Sequence, residues 1–261
     1  MSNNIWWGEF TFELQEKKCW SVGERAILIK RKEAEWNTWN IEETEEDNDV
    51  LVSDGISINL DDTTVTGRFL EKITSEKIKV SPLLADRTVI ARPSSPLTIL
   101  AGEKIQLFIS TPIWFYAETL PSGKCLVDLP FWRPSDSWFG SSTIDGQLCY
   151  AKYTSAKTKL EELDLHPHRA TTSITVINSH DKALTINRIN VPVTYLNLYC
   201  DEKNQLWTSA ISIEIEDESA DVELIIEKGF SADFQPLTFI SNPRVSSEHG
   251  KLIRRISNLF G

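Results

Sequence analysis

Methionine is nearly missing from this sequence: there is one in 261 residues, against nine Trp. Few flexible thioethers and many rigid aromatic rings suit sheet cores and clefts better than helical bundles. Cysteine is sparse as well. Cys19, Cys125, Cys149 and Cys200 stand far apart, without the paired spacing of a zinc knuckle or a redox motif. Four Cys would allow two disulfides in a secreted chain, but free and mostly buried thiols are expected here. No apolar run approaches the ~20 residues that a bilayer-spanning helix needs. Positive charge is also short, with 27 Lys and Arg against 38 Asp and Glu, a formal net charge of −11. That balance argues against nucleic-acid binding, because neutralising phosphates takes clustered cations.

The opening residues, Met1 to Phe10, show no basic start, no apolar stretch of signal-peptide length and no small-residue cleavage site. The expected location is cytoplasmic. Low-complexity linkers and internal repeats are lacking too, so the reading is a single β-rich unit over 1–261. The weakest joint lies near Ala85-Asp86, and a division there would give halves 1–85 and 86–261.

What the chain does have is alternation. Phe10, Phe12 and Leu14 fall on one face of an extended segment, with Glu9, Thr11 and Glu13 on the other. Lys32 to Glu43 is ambiguous, since Trp36 and Trp39 have helical spacing, but its β-branched and aromatic content favours a strand. Thr44-Glu-Glu-Asp-Asn-Asp lacks the ligand order and Gly of a calcium loop and reads as a solvated acidic loop. Ala101-Gly102-Glu103 reads as a hairpin turn. The segment Thr172 to Pro192 reads as an antiparallel hairpin about the polar turn Asn178 to Lys182, and Leu206 to Ile215 as one strand. Signals recurring about every 8 to 12 residues predict an all-β chain. The fold class is an antiparallel β-sandwich with immunoglobulin-like or jelly-roll-like halves. Two windows look helical. Tyr153 to Leu163 also permits a strand. The C-terminal segment places Leu252, Ile253, Ile256, Leu259 and Phe260 on one side and Lys251, Arg254 and Arg255 on the other, which predicts a short amphipathic helix. Such a helix would pack on its own sheet, meet a partner, or touch an anionic membrane peripherally.

Aromatic, charged and hydroxyl residues mix most densely between Pro130 and Thr172. His166 and His168 stand two residues apart, on one side of an extended chain, as in metal sites of double-stranded barrels. No Glu follows, so Cys149 or His180 would have to complete the shell; otherwise both imidazoles simply hydrogen-bond neighbouring groups. Gly140-Ser-Ser-Thr lacks the second Gly of a nucleophile elbow. It could present backbone N–H and hydroxyl groups to an anion, with Arg133 and Arg169 supplying charge. The internal alternative pairs Asp136 with Arg133 or Arg169 and pins a long loop onto the sheet. Glu161, Glu162 and Asp164 are clustered as a charged face rather than opposed like glycosidase acids.

Several short motifs carry a resemblance that spans almost the whole chain. They are Trp6-Trp-Gly, Glu35-Trp, Arg92-Pro-x-Ser-Pro-Leu, Ser110-Thr-Pro, Ser135-Asp-Ser-Trp-Phe-Gly, Leu148-Cys-Tyr-Ala, Pro167-His-Arg-Ala and Leu206-Trp-Thr. In these the sequence resembles a prokaryotic family of uncharacterised proteins, domain of unknown function 432, which carries over no activity. Without an intact reaction motif, the sequence points to a non-enzymatic protein that binds a small molecule or a protein partner. The candidate residues are Trp132, Arg133, Asp136, Trp138, Ser141, Ser142, His166, His168 and Arg169; no catalytic residue or cofactor is assigned. The alternative is a metal- or anion-dependent hydrolase using His166, His168, Asp136 and Ser141. An aromatic edge strand is also compatible with pairing into a homo-oligomer.

Overall fold

Alternating apolar and polar side chains let an extended chain bury one face and wet the other. In the computed structural model this pattern produces a nearly all-β chain whose strands lie in several sheets. The structure describes residues 5–22, 25–42, 51–53, 65–132, 134–140, 146–151, 155–216, 221–227, 229, 237–246, 250–255 and 259–260. The acidic loop from Thr44, Arg133, Ser141 and Ser142 therefore lie outside the described residues. The chain divides into two units, one of Met1–Leu83 with Ile113–Trp132 and one of Leu84–Pro112 with Arg133–Gly261.

The first unit holds a five-stranded antiparallel sheet. Its strands are β2 (Lys17–Val22), β3 (Arg25–Arg31), β4 (Glu35–Glu42), β5 (Leu51–Ser53) and β6 (Gly67–Leu70), in the order β5-β2-β3-β4-β6. The Trp36 segment is thus a strand, as its composition suggests. A second group pairs β1 (Gly8–Thr11) with β7 (Lys77–Leu84), then the part of β10 (Lys104–Leu120) from Ile113 onward and β11 (Cys125–Pro130). Rings from the two groups meet edge to face: Phe10 on Trp20 at 5.1 Å, Phe12 on Trp36 at 5.2 Å, and Trp20 on Phe115 at 5.3 Å. Trp6 packs on Phe115 and Phe131, and its carbonyl accepts the Trp20 indole N–H at 3.0 Å. Arg31 ties the ends together. Its guanidinium donates to the Phe12 carbonyl (2.8 Å), the Thr74 carbonyl (2.9 Å) and the Thr74 hydroxyl (3.1 Å). Leu14, expected inside with Phe10 and Phe12, sits in a turn and is exposed.

In the second unit the central strand is β15 (Arg169–Asn178). It pairs antiparallel with β10, from Lys104↔Ile177 to Pro112↔Arg169. Its other side takes β19 (Leu206–Thr208) and β20 (Ile211–Ile215), both parallel. The expected strand from Leu206 to Ile215 is therefore broken at Ser209-Ala210. β18 (Leu198–Cys200) joins β19 and β22 (Thr238–Ser241), while β21 (Asp221–Ile226) joins β20 and β23 (Lys251–Arg255). Around β8 (Val89–Pro93) lie β13 (Gln147–Tyr150) and β14 (Ser155–Lys157), both parallel, and β17 (Ile189–Val191), antiparallel. β12 (Asp136–Phe139) pairs with β13. Leu107, Ile109, Ile174, Val176, Ile211, Ile213 and Leu224 share one buried aliphatic face.

Two expected hairpins are replaced by arches. β9 (Leu97–Ile99) pairs with β16 (Leu184–Ile186), not with β10 across the Gly102 turn, and β15 does not pair with β16. Each turn instead carries the chain from this two-stranded sheet into the larger one. Asn178, fully buried, ties the two arches. Its amide nitrogen donates to the carbonyls of Ile99 (3.0 Å), Leu100 (3.2 Å) and Lys182 (2.8 Å). Backbone bonds between Gly102 and Asn178 (2.8 Å) and between Asn178 and Glu103 (2.9 Å) close the crossing.

The C-terminal amphipathic helix is corrected outright. Lys251–Arg255 is a strand on β21, with Leu252 opposite buried Leu224 and Ile253 70% exposed opposite Glu223. A five-residue apolar-cationic pattern fits either period, and an unfilled side of β21 decides for the strand. The membrane or partner contact expected of that helix loses its basis. The other helical window resolves into β14 followed by a single 3-10 turn at Leu160–Glu162.

Candidate functional site

The dense central stretch contains a locally paired hairpin, β12 against β13, whose connection runs over residues 140–146. The register Asp136↔Tyr150, Ser137↔Cys149, Trp138↔Leu148 and Phe139↔Gln147 sorts its side chains to two faces. On the inner face Phe139 and Cys149 pack with Ile90 and Ala151. The Arg188 guanidinium lies over the Phe139 ring at 4.8 Å. The Cys149 thiol donates to the Ser137 carbonyl at 3.4 Å, and burial pushes its pKa up against the opposing pull of Arg188. It is held as a thiol, which suits neither attack nor metal ligation.

The outer face is different. Asp136 and Trp138 stand two residues apart on one strand, each close to half exposed (46% for the Asp136 side chain, 47% for Trp138), and Leu148 beside Trp138 is 46% exposed. Asp136 Oδ1 pairs with Arg87 Nη1 at 2.9 Å. The same guanidinium lies over the Tyr150 ring at 5.5 Å, and the Tyr150 hydroxyl donates to Asp86 Oδ1 at 2.9 Å. The Trp138 indole leans across Gly146. A Cβ at that glycine would fall 2.2 Å from Nε1 and 2.4 Å from Cε2 of the ring, so the close approach requires glycine.

His166, Pro167 and His168 form the turn that feeds β15, closed by the Arg169 N–H on the His166 carbonyl at 3.1 Å. The two imidazoles lie 5.4 Å apart, tilted by 33°. His168 Nδ1 is buried without a hydrogen-bond partner among the described residues. Burial first, then the neighbouring charges of Arg169 and His166, lower the His168 pKa to about 4. Arg169 donates through Nε to the Ser110 hydroxyl (2.5 Å) and through Nη2 to the Ser110 carbonyl (2.7 Å). Burial lowers its pKa to about 10, so it remains a cation at neutral pH.

These positions gather only some of the expected site. Trp132 belongs to the first unit, whereas Asp136, Trp138, His166, His168 and Arg169 belong to the second. His180, considered as a third ligand, accepts the Lys182 N–H through Nδ1 at 3.0 Å and sits 3.0 Å from Asp181. Among the described residues no group of three His, Cys, Asp or Glu side chains is placed to hold a metal ion. Glu161 and Glu162 in the 3-10 turn and Asp164 just after it are all exposed. Sequence reasoning missed Arg87, Ser110 and Gly146. Only Asp145-Gly146 carried a local signal, since the other two meet their partners across 49 and 59 residues.

A model of the family described as "Protein of unknown function (DUF432)" matches residues 6–259, nearly end to end. The chain belongs to that family. The resemblance carried by its Trp, Pro and His-Arg motifs is thereby shown for the DUF432 chain as a whole. Neither a curated protein nor a solved structure matches it. Among the described residues no helix of this DUF432 protein is long and apolar enough to cross a membrane.

Proposed function

We propose that this DUF432 chain is a β-sandwich binding protein rather than an enzyme, and that the outer face of the β12–β13 hairpin is its recognition surface. The observation that carries the reading is the half-exposed Trp138–Leu148 pair, held side by side on a hairpin whose inner face buries Phe139 and Cys149. Trp is over-represented among residues that dominate binding, and here it stands beside a second exposed apolar side chain. Charged groups on these strands and their flanking loops also help to hold the fold in place. Arg169 braces β15 against β10 through Ser110, and Arg87 braces the loop before β8 against Asp136. The ring contacts of the first unit support a sandwich core in that part of the chain.

The test is a thermal-shift screen across chemical classes together with a pull-down, each run on wild type and Trp138→Ala. A ligand that binds the native state stabilises it by RT ln(1 + [L]/Kd) and so raises the melting temperature. At least one stabilising ligand or captured partner is expected to be lost in the variant. If every ligand and partner survives the substitution, the surface is wrongly placed.

A further inference from the structure

The hairpin face offers more than an apolar patch. The Trp138 indole crowds Gly146 so closely through Nε1, Cε2 and Cζ2 that no Cβ fits there, while the residue as a whole stays 47% exposed. The result is a half-exposed aromatic ring whose position is fixed by its contact with Gly146. Asp136 projects from the same face two residues along, about 7 Å away at the ordinary strand rise. Its carboxylate stands beside the Arg87 guanidinium at 2.9 Å, both reaching solvent. β12 pairs only with β13 among the described residues, so the ring lies at a sheet margin that an extended ligand can pass.

From this juxtaposition we infer that Trp138, Leu148, Asp136 and Arg87 form a binding site for a neutral pyranose unit of a saccharide. The inference rests on the recognition surface proposed above and names its ligand class. A pyranose has a flat C–H face that matches the indole, and a rim of hydroxyls that both donate and accept. A carboxylate next to a guanidinium answers adjacent hydroxyls on both counts, accepting from one and donating to the other. Polyanions fit poorly, because the patch contains a carboxylate and the chain carries a formal charge of −11. A protein interface fits poorly as well. Two half-exposed apolar side chains supply on the order of 200 Å², against about 800 Å² per partner in a standard interface.

The experiment is affinity electrophoresis of the full chain through gels containing neutral α- and β-glucans, mannan, xylan or a soluble chitin derivative. Titration calorimetry with the matching hexasaccharide follows. Retardation by at least one neutral polysaccharide is expected. Trp138→Ala should weaken binding by about tenfold or more, the loss typical of a dominant aromatic contact. Gly146→Ala should weaken it comparably while leaving every ligand-facing side chain in the sequence, Trp138→Phe should retain most of it, and Asp136→Asn should weaken it. Circular dichroism melts of each variant separate lost binding from lost fold. No retardation by any polysaccharide, or retardation unchanged by Trp138→Ala, overturns the saccharide assignment. If in that case Trp138→Ala still abolishes a small-molecule shift or a pulled-down partner, only the ligand class is wrong. If it alters neither, the recognition surface falls with it.

Discussion

His168 should make the chain lose stability as pH falls from about 6.5 toward about 4, the interval between its ordinary and its native pKa. The imidazole enters the turn before β15 neutral, with Nδ1 buried and without a hydrogen-bond partner among the described residues, and with Arg169 and His166 as charged or chargeable neighbours. In the unfolded chain it takes a proton near pH 6.5; in the native state it resists until about pH 4. Between those values the unfolded state binds more protons, so acid favours unfolding, and above pH 6.5 the penalty vanishes. At about 1.4 kcal/mol per pH unit the full loss is on the order of 3 kcal/mol. About 2 kcal/mol of it falls between pH 7 and pH 4.5. The chain holds four His, so their C–H resonances can be followed individually by NMR, and the His168 signal should titrate near pH 4. Carboxylates also titrate in this range, so urea unfolding should be compared with His168→Leu, which keeps bulk and removes the proton site. The variant should gain about 2 kcal/mol on wild type between pH 7 and pH 4.5. A His168 midpoint near 6.5, or stability curves that run parallel in the two proteins, would refute the account.

Three further outcomes follow from other parts of the fold. Asn178→Ala leaves the carbonyls of Ile99, Leu100 and Lys182 without their shared donor inside the double arch. It should cost about 2–4 kcal/mol, read from chemical denaturation; a loss under about 1 kcal/mol would mean that the backbone bonds alone hold the arches. Arg31→Met strips donors from the Phe12 and Thr74 carbonyls and the Thr74 hydroxyl. A similar loss of about 2–4 kcal/mol is expected in thermal or urea melts. A thiol reagent should modify Cys125 promptly in the native protein and reach Cys19, Cys149 and Cys200 only on unfolding, because the latter three are buried. Mass spectrometry showing a second fast-reacting thiol would contradict that burial.

The candidate site was legible as a neighbourhood but not as a set of contacts. Its residue types drew attention to Asp136, Trp138 and Arg169, yet nothing in the local sequence named Arg87 or Ser110 as their partners. Those meetings follow from which strands lie side by side, through β12 and β13 against β8 in one case and β10 against β15 in the other. The same limit governs the arches. The turns at Gly102 and at Asn178 to Lys182 are real, but a turn specifies only that the chain changes direction. Whether the flanking strands pair with each other or with strands of another sheet is decided by distant packing.

By itself, the sequence determined the strand-rich character of the chain, the burial of most of its cysteines and its family membership. Burial with a period of two and short motifs are written into neighbouring residues, where each position constrains the next. Tertiary structure alone decided the rest. It turned Lys251–Arg255 into a strand on β21, since five residues cannot establish a helical face against an available sheet edge. It also laid the Trp138 indole across Gly146 and set the Asp136–Arg87 pair beside it. The exposed ring is fixed only because Gly146, just before β13, meets it, and that requires the register of β12 on β13.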